Sequence, residues 1–398
     1  MPQAVCTAVF NRAAHSTQGA AERRPASTCL LGIGTAVPEY SASQEQACAF
    51  MERALAGSGN TDKAMLGLLH RIYKQSGIER RHSVLSDYLC LSHHEYCFFP
   101  ASPDLEPFPS TGARMAVYER ESVRLAAAAA RNAIQAANVD PREITHVVIS
   151  SCTGFFAPGP DVLLVRELGL RTTVARTILG FMGCYAGISG MRVADDIVRS
   201  NARAVVLQIA VELSSLHFQK DSTPDTFVAN ALFADGASAA LYGSEMRDSD
   251  AGSLCRIVGT HSEVCSDSTD QMSWRIGDTG FIMRLNAGVP AQLKRAVPEF
   301  CRELAATAHV PLRSITHWAV HPGGPRIVEA IQFALDLPPD AVESSSAVLR
   351  DYGNMSSATI LFVLQRELRK KHDAGNGLLG ALAFGPGLTV EGVLLQVV

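Results

Sequence analysis

An α/β body with a largely parallel central sheet is the fold class this chain predicts. Three observations carry it. Short apolar runs such as Thr145-His-Val-Val-Ile-Ser-Ser alternate with helix-length segments such as Tyr118–Ala137. The second half of the chain replays that order. A glycine followed by small residues also opens a buried segment twice, at Gly183-Cys184 and at Gly353-Asn354, which predicts two related halves.

The elements follow in order. Structure opens at Cys29-Leu-Leu-Gly-Ile-Gly, a buried strand, after an N-terminal extension over residues 1–28. A helix starts at Ser43, whose hydroxyl can cap it, and another spans Lys63–Gln75. Ser83–Gly112 reads as loop, because Phe98-Phe99-Pro100 and Pro107-Phe108-Pro109 break regular structure. Alanine-rich Tyr118–Ala137 is a helix, Thr145–Ser151 a strand and Asp161–Leu168 a helix. Arg176–Gly180 ends a strand, the segment after Cys184 is helical, and Ala202–Val211 is a strand. The N-terminal half covers residues 29–245. The C-terminal half, 246–398, follows a strand at Phe233–Tyr242. It holds helices at Pro290–Ala308 and Arg326–Leu335, a strand at Ser314–Val320, and a helix opened by Tyr352–Thr359.

Composition excludes several classes. The 398 residues are 47% hydrophobic and 19% charged, with a formal charge of −4 and no long basic run. Nucleic acid is therefore not an expected partner. Ten cysteines, at 6, 29, 48, 90, 97, 152, 184, 255, 265 and 301, form no C-x-x-C pair. That pattern points to a reducing, cytoplasmic setting and to no metal site. No apolar run is long enough to cross a membrane.

Cys184 is the first candidate for chemistry. Gly183 allows close backbone approach, and the helix that follows (Ala186, Gly187, Ile188, Gly190, Met191) is apolar on nearly every side. A thiol at a helix N-terminus faces free N–H groups that favour the thiolate, although buried cysteines more often simply pack. A thiol nucleophile also needs a base and an oxyanion donor. His321 follows a buried strand in His-Pro-Gly-Gly-Pro, at the strand end where α/β sheets form ligand crevices. It could equally be a hydrogen-bonded strand-end histidine. Asn354 supplies an amide at a segment start, where asparagine also serves as a cap.

Cysteine, histidine and asparagine admit two enzyme classes. One is a papain-like hydrolase, for which a His about 140 residues after the Cys fits, though the mid-chain position of Cys184 does not. The other is carbon–carbon bond formation by acyl transfer to a thiol. There His and Asn donate to a thioester carbonyl while a malonyl unit loses CO2.

Gly-Cys184-Tyr-Ala-Gly, His321-Pro-Gly-Gly-Pro, Tyr352-Gly-Asn-Met-Ser-Ser-Ala and Phe384-Gly-Pro-Gly-Leu-Thr-Val-Glu, with Ala231-Leu-Phe-Ala-Asp-Gly-Ala, resemble the type III polyketide synthases. These are chalcone synthase-like enzymes of the thiolase fold. The resemblance runs from about Cys29 to Val398. It implies a layered αβαβα architecture, a homodimer, acyl-CoA and malonyl-CoA as substrates, and no cofactor or metal. It implies that Cys184 carries the growing chain while His321 and Asn354 hold the malonyl thioester. Phe233 and Phe281 fall at gatekeeper positions, and Cys152, Thr153, Ser214, His217 and Ser356 at the cavity. For CoA it implies Arg71, with Lys74 replacing family cations that here are Leu68 and Gln75, and the Gly323-Gly324 loop.

Cys-Thr-Gly-Phe-Phe-Ala-Pro-Gly and Ile276-Gly-Asp-Thr-Gly-Phe further resemble bacterial alkylresorcinol and alkylpyrone synthases. Fatty acyl starters are thereby implied, and Ala157 stands where a larger residue would narrow an alkyl tunnel. The same motifs leave two rivals: a single-condensation β-ketoacyl-ACP synthase of the third class, and a non-catalytic acyl-CoA-binding relative.

Overall fold

The computed structural model describes residues 26–59, 62–245, 252–266, 268–371 and 377–398. Most of the expected N-terminal extension, residues 1–25, lies outside the described residues. Its end is corrected: Thr28 is fully buried and already belongs to the first strand.

The first half runs β1 (Thr28–Ala36), β2 (Tyr40–Ser43), α1 (Gln44–Gly57), α2 (Lys63–Lys74), β3 (Arg80–Ser83), α3 (Thr111–Ala137), β4 (His146–Ser151) and α4 (Pro160–Glu167). It continues through β5 (Ala175–Gly180), α5 (Ala186–Ser200), β6 (Val206–Leu213), α6 (Pro224–Leu232) and β7 (Asp235–Ser244). The second half runs β8 (Cys255–Val264), β9 (Met272–Gly277), β10 (Gly280–Leu285), α7 (Val289–Thr307), β11 (Ile315–Val320) and α8 (Pro325–Ala334). It closes with α9 (Glu343–Tyr352), α10 (Thr359–Lys371), β12 (Leu378–Gly385) and β13 (Thr389–Val397).

Nine strands join in the order β11-β12-β13-β8-β1-β7-β6-β4-β5. The series β4, β6, β7, β1 pairs parallel, antiparallel, antiparallel, and β11, β12, β13, β8 pairs in the same sense. The expected parallel sheet is therefore mixed. The two series meet where Thr28–Leu30 pairs with Cys255–Ile257.

Helices cover this sheet in layers. α3 packs on β1, β6 and β7, and α7 on β8 and β13. Between them α5 and α10 touch strands of both series. Their shared core includes Ile188, Met191, Ile360, Leu361, Val363 and Leu364, each sealed from water. The N-terminal turns of both helices are apolar and buried, which places them in the middle layer, while their charged C-terminal residues Asp196, Arg199, Arg369 and Lys370 reach solvent.

Several boundaries differ from the sequence expectation. α3 begins at Thr111 rather than Tyr118, because the Ser110 hydroxyl accepts from Ala113 N and starts the helix earlier. Phe233 caps α6, so β7 begins at Asp235. Tyr352–Thr359 does not open a helix directly. Tyr352 ends α9, Gly353 takes φ +74°, and a short turn at Ser356–Ala358 precedes α10.

Candidate active site

Cys184 sits on the turn ahead of α5, not within it. Gly183, at φ +89°, makes this turn, and a Cβ there would lie 2.5 Å from Pro386 Cδ. Gly187 brings α5 onto the segment before α10: a Cβ would meet Ser357 O at 2.4 Å. The sulfur is thus pressed toward residues supplied by the second half.

Asn354 is held by its backbone, with its N–H donating to Leu232 O at 2.9 Å and its carbonyl accepting from Ala234 N at 2.9 Å. Its Oδ1 accepts from Ser356 N at 2.9 Å, so the asparagine does serve as a local cap. Its Nδ2 donates to Gly323 O at 3.3 Å, tying it to the loop of His321, and its amide also faces the Cys184 sulfur. His321 is fixed by its N–H to Leu382 O at 2.8 Å. Its ring is buried, and among the described residues neither ring nitrogen has a hydrogen-bond partner.

Burial pushes the Cys184 thiol up to about 12 against the opposing pull of Ser356 and Asn354, and pushes His321 down to about 3. The helix-start effect expected from sequence is thereby outweighed by desolvation in the unliganded site.

Cys184 opens into a narrow inner chamber, lined also by Cys152, Thr153, Ser214, Phe233, Trp274, Met283 and Ser356. A neighbouring, larger outer chamber is lined by Ala42, Ala47, Tyr88, His217, Phe218 and Phe281 among others. Ser214, Phe233, Trp274 and Met283 border both, and so form the boundary between them, here called the neck. Phe233 borders both chambers, whereas Phe281 lines the outer chamber alone, its ring stacked on His217 at 4.1 Å.

His217 is pinned in one tautomer, since Phe281 N donates to Nδ1 at 3.0 Å and Nε2–H donates to Thr153 O at 2.7 Å. Desolvation holds it neutral, its pKa pushed down to about 3. Ser356 Oγ lies 3.3 Å from Cys152 Sγ. Ala157 is exposed and lines neither chamber, because the loop carrying it turns outward beside β5.

Sequence reasoning missed three site residues. Glu212, fully buried on β6, accepts from Cys152 N at 3.0 Å, Thr153 Oγ1 at 2.8 Å and the Ser357 hydroxyl. Burial raises its pKa. A lone acid in an otherwise apolar strand was the available signal. Trp274 and Met283 lie on the β9–β10 hairpin, flagged by Gly277-Asp278-Thr279-Gly280 between alternating strands.

Arg71 and Lys74 lie exposed on the last turn of α2. Three residues past that end, Gly77 lies against Pro325, the first residue of α8. Among the described residues no cluster of His, Cys, Asp or Glu could hold a metal, the cysteines are free thiols, and no helix is long and apolar enough to cross a membrane.

Comparison with known proteins bears on this arrangement. Residues 15–246 match the family model of the N-terminal domain of chalcone and stilbene synthases, and residues 256–398 that of the C-terminal domain. The chain is 32% identical over 374 residues to type III polyketide synthase A of Arabidopsis thaliana, covering 92% of each. It is 32% identical over 371 residues to type III polyketide synthase 21 of Oryza sativa subsp. japonica, covering 92% of this chain and 93% of that one. Among solved structures it resembles PKS-I of the brown alga Ectocarpus siliculosus, with TM-score 0.85 and 30% identity over 95% of this chain and all of the other. It also resembles the type III domain of Steely1 from Dictyostelium, with TM-score 0.82 and 27% identity over 94% of this chain and 99% of that one. With a thiolase-like fold and a buried thiol facing a carboxamide, the chain belongs to the type III polyketide synthases, malonyl-CoA-dependent acyltransferases that work on CoA thioesters without a required cofactor.

Proposed function

We propose that this enzyme loads a fatty acyl group from acyl-CoA onto Cys184, extends it with malonyl-CoA and cyclises the product to an alkylresorcinol or alkylpyrone. In loading, Cys184 sulfur attacks the thioester carbonyl, CoA leaves as the thiol, and the Cys184 proton passes by way of His321 to the departing sulfur. The malonyl thioester then places its carbonyl oxygen against an imidazole N–H of His321 and the Nδ2–H of Asn354. The carboxylate leaves as CO2, and its bonding pair forms an enolate stabilised by those two donors. The enolate carbon attacks the Cys184-bound carbonyl, and the thiolate is the leaving group. The extended chain returns to Cys184 for the next round.

The observation that supports this reading is a buried His321 ring with no hydrogen-bond partner among the described residues, on a loop tied through Gly323 to the Asn354 amide that faces Cys184. Cys184 itself lines the inner chamber, and the larger outer one bordering it is suited to the apolar starter. Arg71 and Lys74 are proposed to meet the CoA phosphates, as exposed cations at the end of α2 whose following turn reaches Pro325 at the start of α8.

Two copies are proposed to pair through β5. This edge strand leaves Ile178 exposed beside Phe155, Val162 and Leu163, an apolar edge that a second chain would cover. The free thiols accord with the proposed cytoplasmic location.

The test is mass spectrometry of products from a panel of acyl-CoA starters with malonyl-CoA. Ring-containing products from fatty starters are expected. A single linear β-ketoacyl product would assign the chain to one-step condensation, and turnover unchanged in Cys184→Ala would remove catalysis from this site.

A further inference from the structure

The β9–β10 hairpin pairs with no other strand, yet it roofs both chambers: Met272, Trp274 and Met283 line the inner one, and Trp274, Phe281 and Met283 the outer. A two-stranded ribbon has little stability of its own and takes its position from whatever holds it. Its base is closed by Asn286 N donating to Gln271 O at 2.8 Å. Its flank is held by Trp274 Nε1–H on Cys152 O at 2.7 Å and by His217 on Phe281 N.

The tip is held mainly by one residue outside the cavity. Thr111, at the first turn of α3, donates its backbone N–H to Asp278 O at 2.7 Å. Its hydroxyl donates to Gly277 O and accepts from Gly280 N at 2.8 Å. One hydroxyl thus satisfies both strands across the last pair, Gly277 and Gly280, before the turn. Gln219 Nε2–H, donating to Thr279 O at 3.0 Å, supplements it.

We infer that Thr111 is a positioning residue that sets how far the roof stands over the neck, and so which acyl lengths reach Cys184. Trp274 lies on β9 only three residues from Gly277, so tilting a short ribbon about its base moves the indole along with the tip. Ser110 caps α3 independently of the Thr111 hydroxyl, so removing that hydroxyl leaves the helix start intact. The length-setting half of this inference rests on the Cys184-loading reading above.

The test compares Thr111→Val, which keeps shape and backbone N–H but loses the hydroxyl, with Thr111→Ser, which keeps the hydroxyl. Hydrogen–deuterium exchange on the whole protein is expected to speed up about tenfold at Gly280 and Phe281 in T111V, the consequence of losing a part-buried hydrogen bond, and to stay at the wild-type rate in T111S. Intact-mass measurement of acyl loading from a series of acyl-CoAs is expected to show a several-fold change in the ratio of long to short chains in T111V only. Wild-type exchange in T111V, or equal behaviour of the two variants, overturns the latch. Faster exchange with an unchanged loading ratio overturns the length-setting role. Should the wild type itself take no acyl group, the loading reading fails and the length-setting role falls with it, while exchange alone still decides the latch.

Discussion

Trp274→Ala is the perturbation that most directly probes the two-chamber site. The indole borders both chambers, and its ring packs edge-on against His217 and Phe281, with centroids at 5.5 and 5.8 Å. Replacing Trp by Ala deletes about nine non-hydrogen atoms from the wall the two chambers share, and that space stays open where the walls do not collapse. One extension adds two carbons and one oxygen, so room for up to about three further units opens. The variant also leaves Cys152 O without its 2.7 Å donor. With a half-buried ring, the stability loss is expected near the low end for aromatic deletion, about 3 kcal/mol. The assay is product analysis by mass spectrometry alongside thermal melting, with Trp274→Phe as a control that keeps most of the ring. Longer products or longer accepted starters are expected in W274A and little change in W274F. A folded W274A enzyme with the wild-type product set would refute the neck.

Other outcomes follow from the same geometry. Asn354→Ala is expected to lower condensation by about 10²–10³-fold, the scale of one lost oxyanion donor, while intact mass still shows acyl loading on Cys184; equal loss of loading would make Asn354 structural. Burial holds Cys184 and His321 each neutral on its own, and a thiolate forms there most cheaply when the imidazole takes its proton, the two charges offsetting each other. His321→Ala is therefore expected to move iodoacetamide labelling of Cys184 upward by at least about one pH unit, and an unchanged profile would exclude such a pair. Asp235 is buried and its pKa pushed up to about 6, above an unfolded value near ~3.9. The native state therefore binds its proton more tightly, and its stabilising contribution, present below about pH 4, is lost as pH rises through 6. That loss is about 3 kcal/mol. Urea titrations at both ends of this window should show the slope in wild type and not in Asp235→Asn; the same slope in both would assign it elsewhere.

The alternation of strands and helices was readable because α3, β4 and β6 carry strong local signals: alanine-rich turns, and β-branched runs buried on both faces. The catalytic candidates were legible for a different reason. Gly183 and Gly353 mark backbone that a side chain would block or strain, and such positions stand out in any helix pattern. What stayed hidden depends on long-range register. Nothing local says that Asn354 pairs beside Phe233, or that Phe281 turns onto His217 while Met283 faces the neck. In a ribbon with period-two alternation, one residue of register decides which side chain enters the cavity. Thiol ionisation was hidden similarly, because the dipole at a helix start is a local property and desolvation is not.

The repeated architecture explains why the reactive groups meet where they do. β4, β6, β7, β1 and β11, β12, β13, β8 form matching series, and each half sends one apolar helix into the shared middle layer. Cys184 precedes α5 and Asn354 precedes α10, so matching backbone positions present a nucleophile from one half and a donor from the other. Either half alone would expose the inner face of its helix and leave its reactive residue without a counterpart. A site assembled across such a junction needs no inserted loop to bring its groups together. It does need the two helices at close approach, which is the role of Gly187 against Ser357 O. Any side chain at Gly187 would force the helices apart and separate sulfur from carboxamide before it disturbed either half's own core.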